Sequence, residues 1–432
     1  MKKLISIISS IGLVAISSLA VVSCRTPKLE ILFVPSRSGT DITAQVAPLR
    51  GLLTKKLKEL AKARGEEFNK AVKVDVSTSY SAAAKSLAGG SVDIALMPIQ
   101  PYAENRGEKQ EDGTYDKIGF LLSSGRRGAK PDTTFEGFQG EDKKFSNDKA
   151  ISDLKGQDLF GLANWYQEYA TTNKPEEGKS YATVLEDDTN PASYYRSYVY
   201  ANTSVLQQTI YKDQKSYKVA LDEARKSKNF EDYQQIMKSL ILQSNIKISL
   251  GDKKSSAGFS YPVLWMKEIA GLTNEEIVGL FKGGKKFIKG KDYDTIASTI
   301  GDNAEAKAGN GYAIGFGFSD IRFTRSGKLD HEKKLFENVE IIGASQAIIN
   351  DGIMYSKNKK SLVGKDQNLL NDLKKGLLNL IKEDQEAKKV FSIYNITNFV
   401  EPDSKKIDSD ITDSLKKLDD VTKIADAITW GA

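Results

Sequence analysis

Residues 246–266 read IKISLGDKKSSAGFSYPVLWM. Ile246, Ile248 and Leu250 alternate with polar residues, a polar loop follows, and apolar residues return at helical density from Phe259. The pattern predicts a strand, a short loop and a helix. Ser255, Ser256, Ala257 and Gly258 stand where that helix starts. A helix start leaves backbone N–H groups without partners and carries partial positive charge, so an oxyanion suits it. Serine hydroxyls add donors, and small residues let a ligand approach the backbone. Read by itself, the string favours a plainer alternative, an N-cap in which Ser255 or Ser256 accepts from its own helix.

The same alternation of strand and helix extends outward. LEILFVPS (29–36) is an apolar run closed by Pro and Ser, and TAQVAPLRGLLTKKLKELAKARG (43–65) has helical spacing and ends in a basic turn and glycine. VKVDVSTSY, SAAAKSLAGG and VDIALMP then read as strand, short helix and strand. This order predicts parallel strands joined by right-handed crossovers. The segment KDYDTIASTI with YAIGFGFSD repeats the scheme of TSYSAAAKSLAGGSVDIALMP: a tyrosine, a short helix, a strand, a polar turn. Two α/β lobes of similar build follow from that repetition. Tyr80 and Tyr293 open the matching helices; each is a packed ring or a phenol donating to an oxygen at a cleft rim. Between them, residues 103–190 are polar and rich in Gly, Asp, Lys and Thr, and read largely as loops and insertions, with LLSSGRRG as a strand and turn. In that turn Arg126 and Arg127 suit solvation better than a phosphate clamp. The tail, 403–429, reads as one or two charged amphipathic helices.

The chain has 432 residues, with 40% hydrophobic and 28% charged residues and a net charge of +6. That is enough for more than one domain. The basic excess is spread out, with no dense block of the kind a nucleic-acid binder concentrates on one face. The first residues, MKKLISIISSIGLVAISSLAVVSC, have a basic start, a serine-broken apolar run and a small residue before Cys24, the only cysteine. They fit a secretory signal over 1–23. VVSC resembles the lipobox of bacterial lipoproteins, which implies cleavage before Cys24, diacylglycerol on its sulfur, and a tether over 24–28. Two chains on that sulfur anchor stably where one would not.

Catalytic patterns are missing from the string. His331 is the only histidine and lies in a charged segment, and no Walker A loop, HExxH or clustered metal ligands occur. No cofactor is expected. Asp351 precedes a strand and suits a turn. Asp320, in FSDIR, is a turn residue or a partner of Arg322.

Taken in order, LFVPS, TSYSAAAKSLAGGSVDIALMP, YYRSYVYA, KSSAGFSYPVLW, YAIGFGFSD and AIINDGIMYSK resemble the substrate-binding lipoproteins of phosphonate, phosphite and phosphate-ester ABC importers of Gram-positive and wall-less bacteria. The resemblance runs with gaps from Leu29 to about Ile396. It implies an α/β, two-lobed periplasmic-binding-protein-like (type II) fold with two crossover hinge strands. Lobe 1 would comprise 29–197 and 345–432, and lobe 2 would comprise 198–344. YYRSYVYA and IIGASQAIIN look like the crossovers.

Carried over by position, the family's phosphorus-oxygen donors fall on Ser255 and Ser256, with Ala257 contributing backbone. Its first-lobe tyrosine falls on Tyr80 and its second-lobe contact on Tyr293. Its acidic residues fall on Asp351, which would face a ligand amine, and on Asp320. The implied function is capture of a small phosphorus oxyanion by a lipid-anchored, monomeric, non-enzymatic protein outside the membrane, which passes it to permease and ATPase subunits. MPIQPY departs from the family's glycine-containing turn, and Lys253 and Lys254 add positive charge beside the loop. Two alternatives stand beside this reading. One is a binder of thiamine or thiamine diphosphate, with Trp165, Tyr194, Trp265 or Phe318 supplying rings for its cation. The other is a surface interaction lipoprotein whose cleft is blocked by region 103–190.

Overall fold

The protein is described here by a computed structural model covering residues 26–35, 39–282, 284, 286–290, 292–302, 312–318, 320–323, 328–402 and 404–428. Cys24 and the expected signal segment lie outside the described residues, as does the first part of the tether.

The chain builds two sheets of like topology. In the first, Lys28–Phe33 pairs in parallel with Ala71–Val76 on one side and Ile94–Met97 on the other. Gly352–Ser356 then runs antiparallel to Ile94–Met97, and Ile118–Ala129 lies beyond it. In the second, Ile248–Leu250 pairs in parallel with Phe287–Lys289 and with Ile314–Phe318. Ser197–Asn202 runs antiparallel to Ile314–Phe318, with Val339–Ala344 beyond. The order is the same, and in each sheet the antiparallel strand arrives from the other sheet. The central strands are buried along their whole length, as in IALM at 94–97 and SYVYAN at 197–202. This is why they read as apolar runs rather than alternations.

Two short strands join the sheets. Tyr194–Tyr195 carries the chain out, Ile348–Ile349 brings it back, and the two pair antiparallel. They lie within the two segments that resembled crossovers.

Region 103–190 is not a set of loops. It supplies the twelve-residue strand Ile118–Ala129 and the seventeen-residue helix Gly156–Thr172. That helix buries Leu159, Leu162, Ala163, Tyr166 and Ala170, a helical stripe diluted in the sequence by polar neighbours. Its core partners include Val339 and Ile341 of the second sheet. The tail forms two helices, Ser404–Lys417 and Asp419–Ala427. Ile411 joins the first core, whereas Leu418, Val421 and Ile424 join the second. Packing therefore draws parts of 130–185 and the last helix onto the second sheet, beyond the expected 198–344. Among the described residues no helix is long and apolar enough to cross a membrane.

Candidate functional site

The two matching tyrosines are placed by matching caps. Ser79 Oγ accepts from the Ala82 N–H at 3.1 Å, and Asp292 Oδ1 accepts from the Thr295 N–H at 2.7 Å. Each cap residue is in extended backbone, so Tyr80 and Tyr293 each become the first residue of a helix. Both rings are buried and line one inner cavity together with Ser255, Ala257, Arg126, Tyr195, Phe318 and Asp351. The cavity measures about 20 Å³, room for about one water-sized group. A second space of about 160 Å³ shares Tyr80, Ser255 and Tyr293 and extends past Ser79, Asp252, Lys289 and Asp292.

The opening motif folds as strand Ile248–Leu250, a loop, a wide π-type turn over Ser256–Ser260 and the helix Tyr261–Glu268. Gly251 N–H donates to the Gly258 carbonyl at 2.6 Å. A Cβ on Gly251 would lie 3.0 Å from the Gly258 Cα, so the close approach needs glycine. Ser255 is the N-cap: its Oγ accepts from Gly258 N–H at 3.0 Å, and it lies 3.3 Å from the Tyr293 hydroxyl. It thus caps and lines the cavity at once. Ala257 also lines the cavity. Ser256 is buried but lines neither space.

The expected charge beside this loop is spent elsewhere. Lys253 Nζ donates to the carbonyls of Ala425 (2.6 Å) and Ile428 (2.5 Å), where the last helix ends. Lys254 pairs with Glu104 at 2.7 Å.

Arg126 supplies the positive charge instead, which corrects its assignment to solvent. It is 3% exposed. Its guanidinium lies over the rings of Tyr195 and Phe318, 4.4 and 5.3 Å from their centroids. Nη2 donates to Asp351 Oδ2 at 2.9 Å, whereas Nε and Nη1 are buried without a hydrogen-bond partner. A buried cationic donor without an acceptor is costly. An anion in the cavity would supply that acceptor.

Asp351 accepts from Tyr195 Oη at 3.3 Å as well as from Arg126. The amine-facing role expected for Asp351 meets a carboxylate already engaged by Arg126. Burial pushes its carboxyl above the ordinary value, against the opposing pull of Arg126. Burial also pushes the Tyr293 phenol up to about 12, and the Tyr80 phenol well above its ordinary value. Both remain neutral donors through the physiological range.

Asp320 is elsewhere. Its two oxygens accept from Arg322 Nε (2.9 Å) and Nη2 (2.7 Å), and Oδ2 also accepts from Tyr166 Oη at 3.2 Å. It lines neither space, so the ligand role expected of it meets a closed internal pair. Of the four candidate rings, Phe318 alone lines the cleft. Trp165 donates to Thr134 Oγ1 on the surface, Trp265 packs on Phe316, and Tyr194 donates to Asp132. Across the lobes, Ser260 Oγ donates to Gln100 Oε1 at 2.6 Å. That contact and the Lys254–Glu104 pair bridge the two lobes beside the cleft. Among the described residues no cluster of His, Cys, Asp and Glu suits a metal ion.

No protein-family model and no curated protein matches the sequence. Solved structures do match the fold. Mh-p37 of Mycoplasma hyorhinis, described as a candidate thiamine pyrophosphate transporter, aligns at a TM-score of 0.55 and 16% identity over 90% of this chain and 98% of its own. PhnD1 of Prochlorococcus marinus, in complex with methylphosphonate, aligns at 0.46 and 14% over 90% and 98%. A binding-protein component of a Pseudomonas aeruginosa phosphonate ABC transporter aligns at 0.45 and 13% over 93% and 97%. The chain has the two-lobed fold of periplasmic binding proteins, as the repeated strand order and paired crossovers imply.

Proposed function

We propose that the chain is the ligand-capture protein of an ABC importer and closes its lobes over a small phosphorus oxyanion, a phosphonate or phosphate ester. The observation that carries the reading is Arg126, which lines the inner cavity together with Tyr80, Ser255 and Tyr293 and whose Nε and Nη1 are buried without a hydrogen-bond partner. An oxyanion there would accept charge-assisted hydrogen bonds from the guanidinium and neutral ones from the three hydroxyls. Arg126 and Tyr80 belong to the first lobe, Ser255 and Tyr293 to the second. Such a ligand stabilises the closed form because only that form assembles its donors. Anchoring through Cys24 on the outer face of the membrane, and delivery to permease and ATPase subunits, belong to the same reading.

Thiamine diphosphate is the second candidate, since its diphosphate makes the same demand on Arg126 and Mh-p37 shares the fold. The rings of Tyr195 and Phe318 are already occupied by the guanidinium. Spaces of about 20 and 160 Å³ are tight for both: a small phosphonate needs the lobes to part a little at the inner cavity, and a thiamine-sized molecule needs them to part much further. The small oxyanion is therefore preferred.

The test is a thermal-shift and calorimetry series with methylphosphonate, aminoethylphosphonate, phosphite, phosphate, glycerol phosphate, thiamine and thiamine diphosphate. A ligand at a hundred times its Kd adds about 2.7 kcal/mol. A phosphorus compound should shift the protein, and Arg126→Met should abolish the shift. Because Asp351 is held by Arg126, the aminoalkyl ligand should bind no better than the methyl one. A response to plain thiamine would replace the first reading by the second. Silence across the series from folded, ligand-free protein would defeat both and favour a surface interaction role.

A further inference from the structure

The tail leaves the first sheet at strand Ile396–Val400, which pairs with Ile118–Ala129. The helix Ser404–Lys417 follows, and Asp408 fastens it to the first lobe. Asp408 Oδ1 accepts from Arg106 Nη1 (2.9 Å) and Tyr115 Oη (2.8 Å), and Oδ2 accepts from Lys109 Nζ (2.6 Å). Arg106 is itself buried, with its guanidinium 3.8 Å from the centroid of the Tyr115 ring. The helix also packs on Ile99–Asn105, from which Gln100 and Glu104 reach Ser260 and Lys254 of the second lobe.

Further along, the same helix touches the second lobe directly: Ser414 Oγ lies 3.1 Å from Tyr261 Oη. The last helix, Asp419–Ala427, packs on Asn274–Phe281 and places Val421 and Ile424 in the second core. Asp420 pairs with Lys267. The final turn of a helix leaves carbonyls without helical partners and favours a cation. Lys253 takes that place, donating to the carbonyls of Ala425 and Ile428. It stands two residues before Ser255, which lines the cleft. The tail therefore starts on one lobe and ends on the other, tied to the loop that carries a cleft residue.

We propose that the tail is a conformational strap: docked on both lobes it favours their bridged, closed arrangement, and its release lets them part. Contacts made to both lobes at once persist only while the lobes keep this spacing, so they bias the equilibrium toward it. By linkage, a ligand that closes the lobes also fastens the tail. That second half rests on the proposed ligand site; the first half does not.

The test measures the spacing of the lobes without ligand, by double electron–electron resonance. It uses the chain from residue 24 with Cys24→Ser and spin labels at Lys85→Cys and Thr295→Cys, exposed positions on the matching helices Tyr80–Gly89 and Tyr293–Gly301. Lys253→Met and Asp408→Asn, which loosen opposite ends of the strap, should each shift the distribution to longer separations. Lys423→Ala loses only pairs with Asp419 and Asp420 of its own helix and should leave it unchanged. Affinity falls with the population of the closed form, so Lys253→Met should also weaken methylphosphonate at least about threefold. The proposal is overturned if both strap variants, folded by circular dichroism, keep the original distribution, or if Lys423→Ala shifts it as far as they do. Absence of methylphosphonate binding in the unsubstituted protein would count against the ligand reading alone, since the distances are read without ligand.

Discussion

Arg126 and Arg322 are both buried beside an aspartate and over aromatic rings, yet they differ in what they leave unmet. Arg322 Nε and Nη2 take Asp320 in a two-point pair, and Nη1 donates to the Val339 carbonyl. Arg196 is equally saturated by Asp132, Ser345 O and Ala150 O. Arg126, which lines the inner cavity, gives only Nη2 to Asp351 and leaves Nε and Nη1 without a partner. A buried ion pair alone says little about function, since it is as compatible with packing as with binding. The unspent donors separate a guanidinium whose hydrogen bonds are all met within the fold from one that, on the proposed function, would meet a ligand.

The largest effect should come at Arg126. Arg126→Met removes two charge-assisted hydrogen bonds to the anion, each worth about 1.5–3 kcal/mol. Calorimetry with methylphosphonate should therefore show binding at least about a hundredfold weaker. Equal affinity in the variant would end the distinction between the two arginines. The complementary change, Arg322→Met, strands Asp320 and should cost about 3–5 kcal/mol of stability. It should appear as a lower melting temperature, with the Kd of the surviving folded protein unchanged. A Kd that moved as much as at Arg126 would mean that the second pair also serves the ligand.

Asp351→Asn sharpens the comparison from the acidic side. The carboxylate competes with the ligand for Arg126, so its removal should tighten the binding of dimethyl phosphate about tenfold. Its raised carboxyl value gives the pH dependence a sign. Asp351 is charged above that value and neutral below it. Affinity should rise as pH falls through the raised value toward 3.8, with proton uptake on binding. Dimethyl phosphate does not itself titrate there, and the trend should vanish in Asp351→Asn. The smallest effects are those of Tyr293→Phe and Ser255→Ala, each costing about 1 kcal/mol, or roughly fivefold in Kd. Because the Tyr293 phenol titrates only near 12, affinity for the same ligand should show no loss between pH 7 and 9 from that group. A loss absent in Tyr293→Phe would contradict it.

What the sequence determined by itself was periodic or local. The repeated tyrosine–helix–strand scheme led to two like lobes, because alternation and helical spacing follow from backbone geometry alone. The placing of Tyr80, Tyr293 and Ser255 at helix starts was legible because caps and loop glycines are written within a few residues of each other. The helix Gly156–Thr172 was obscured by its polar face, since its apolar stripe acquires meaning only against Val339 and Ile341. Tertiary structure alone decided the charges. Arg126 and Asp351 lie 225 residues apart in the chain, and nothing local marks one as the partner of the other. Lys253 adds positive charge beside the loop by its place in the string, but in space it is claimed by the carbonyls of Ala425 and Ile428. Coulomb and hydrogen-bond energies depend on distance through space and on exclusion of water, and both are settled only when the lobes, the hinge and the tail have come together.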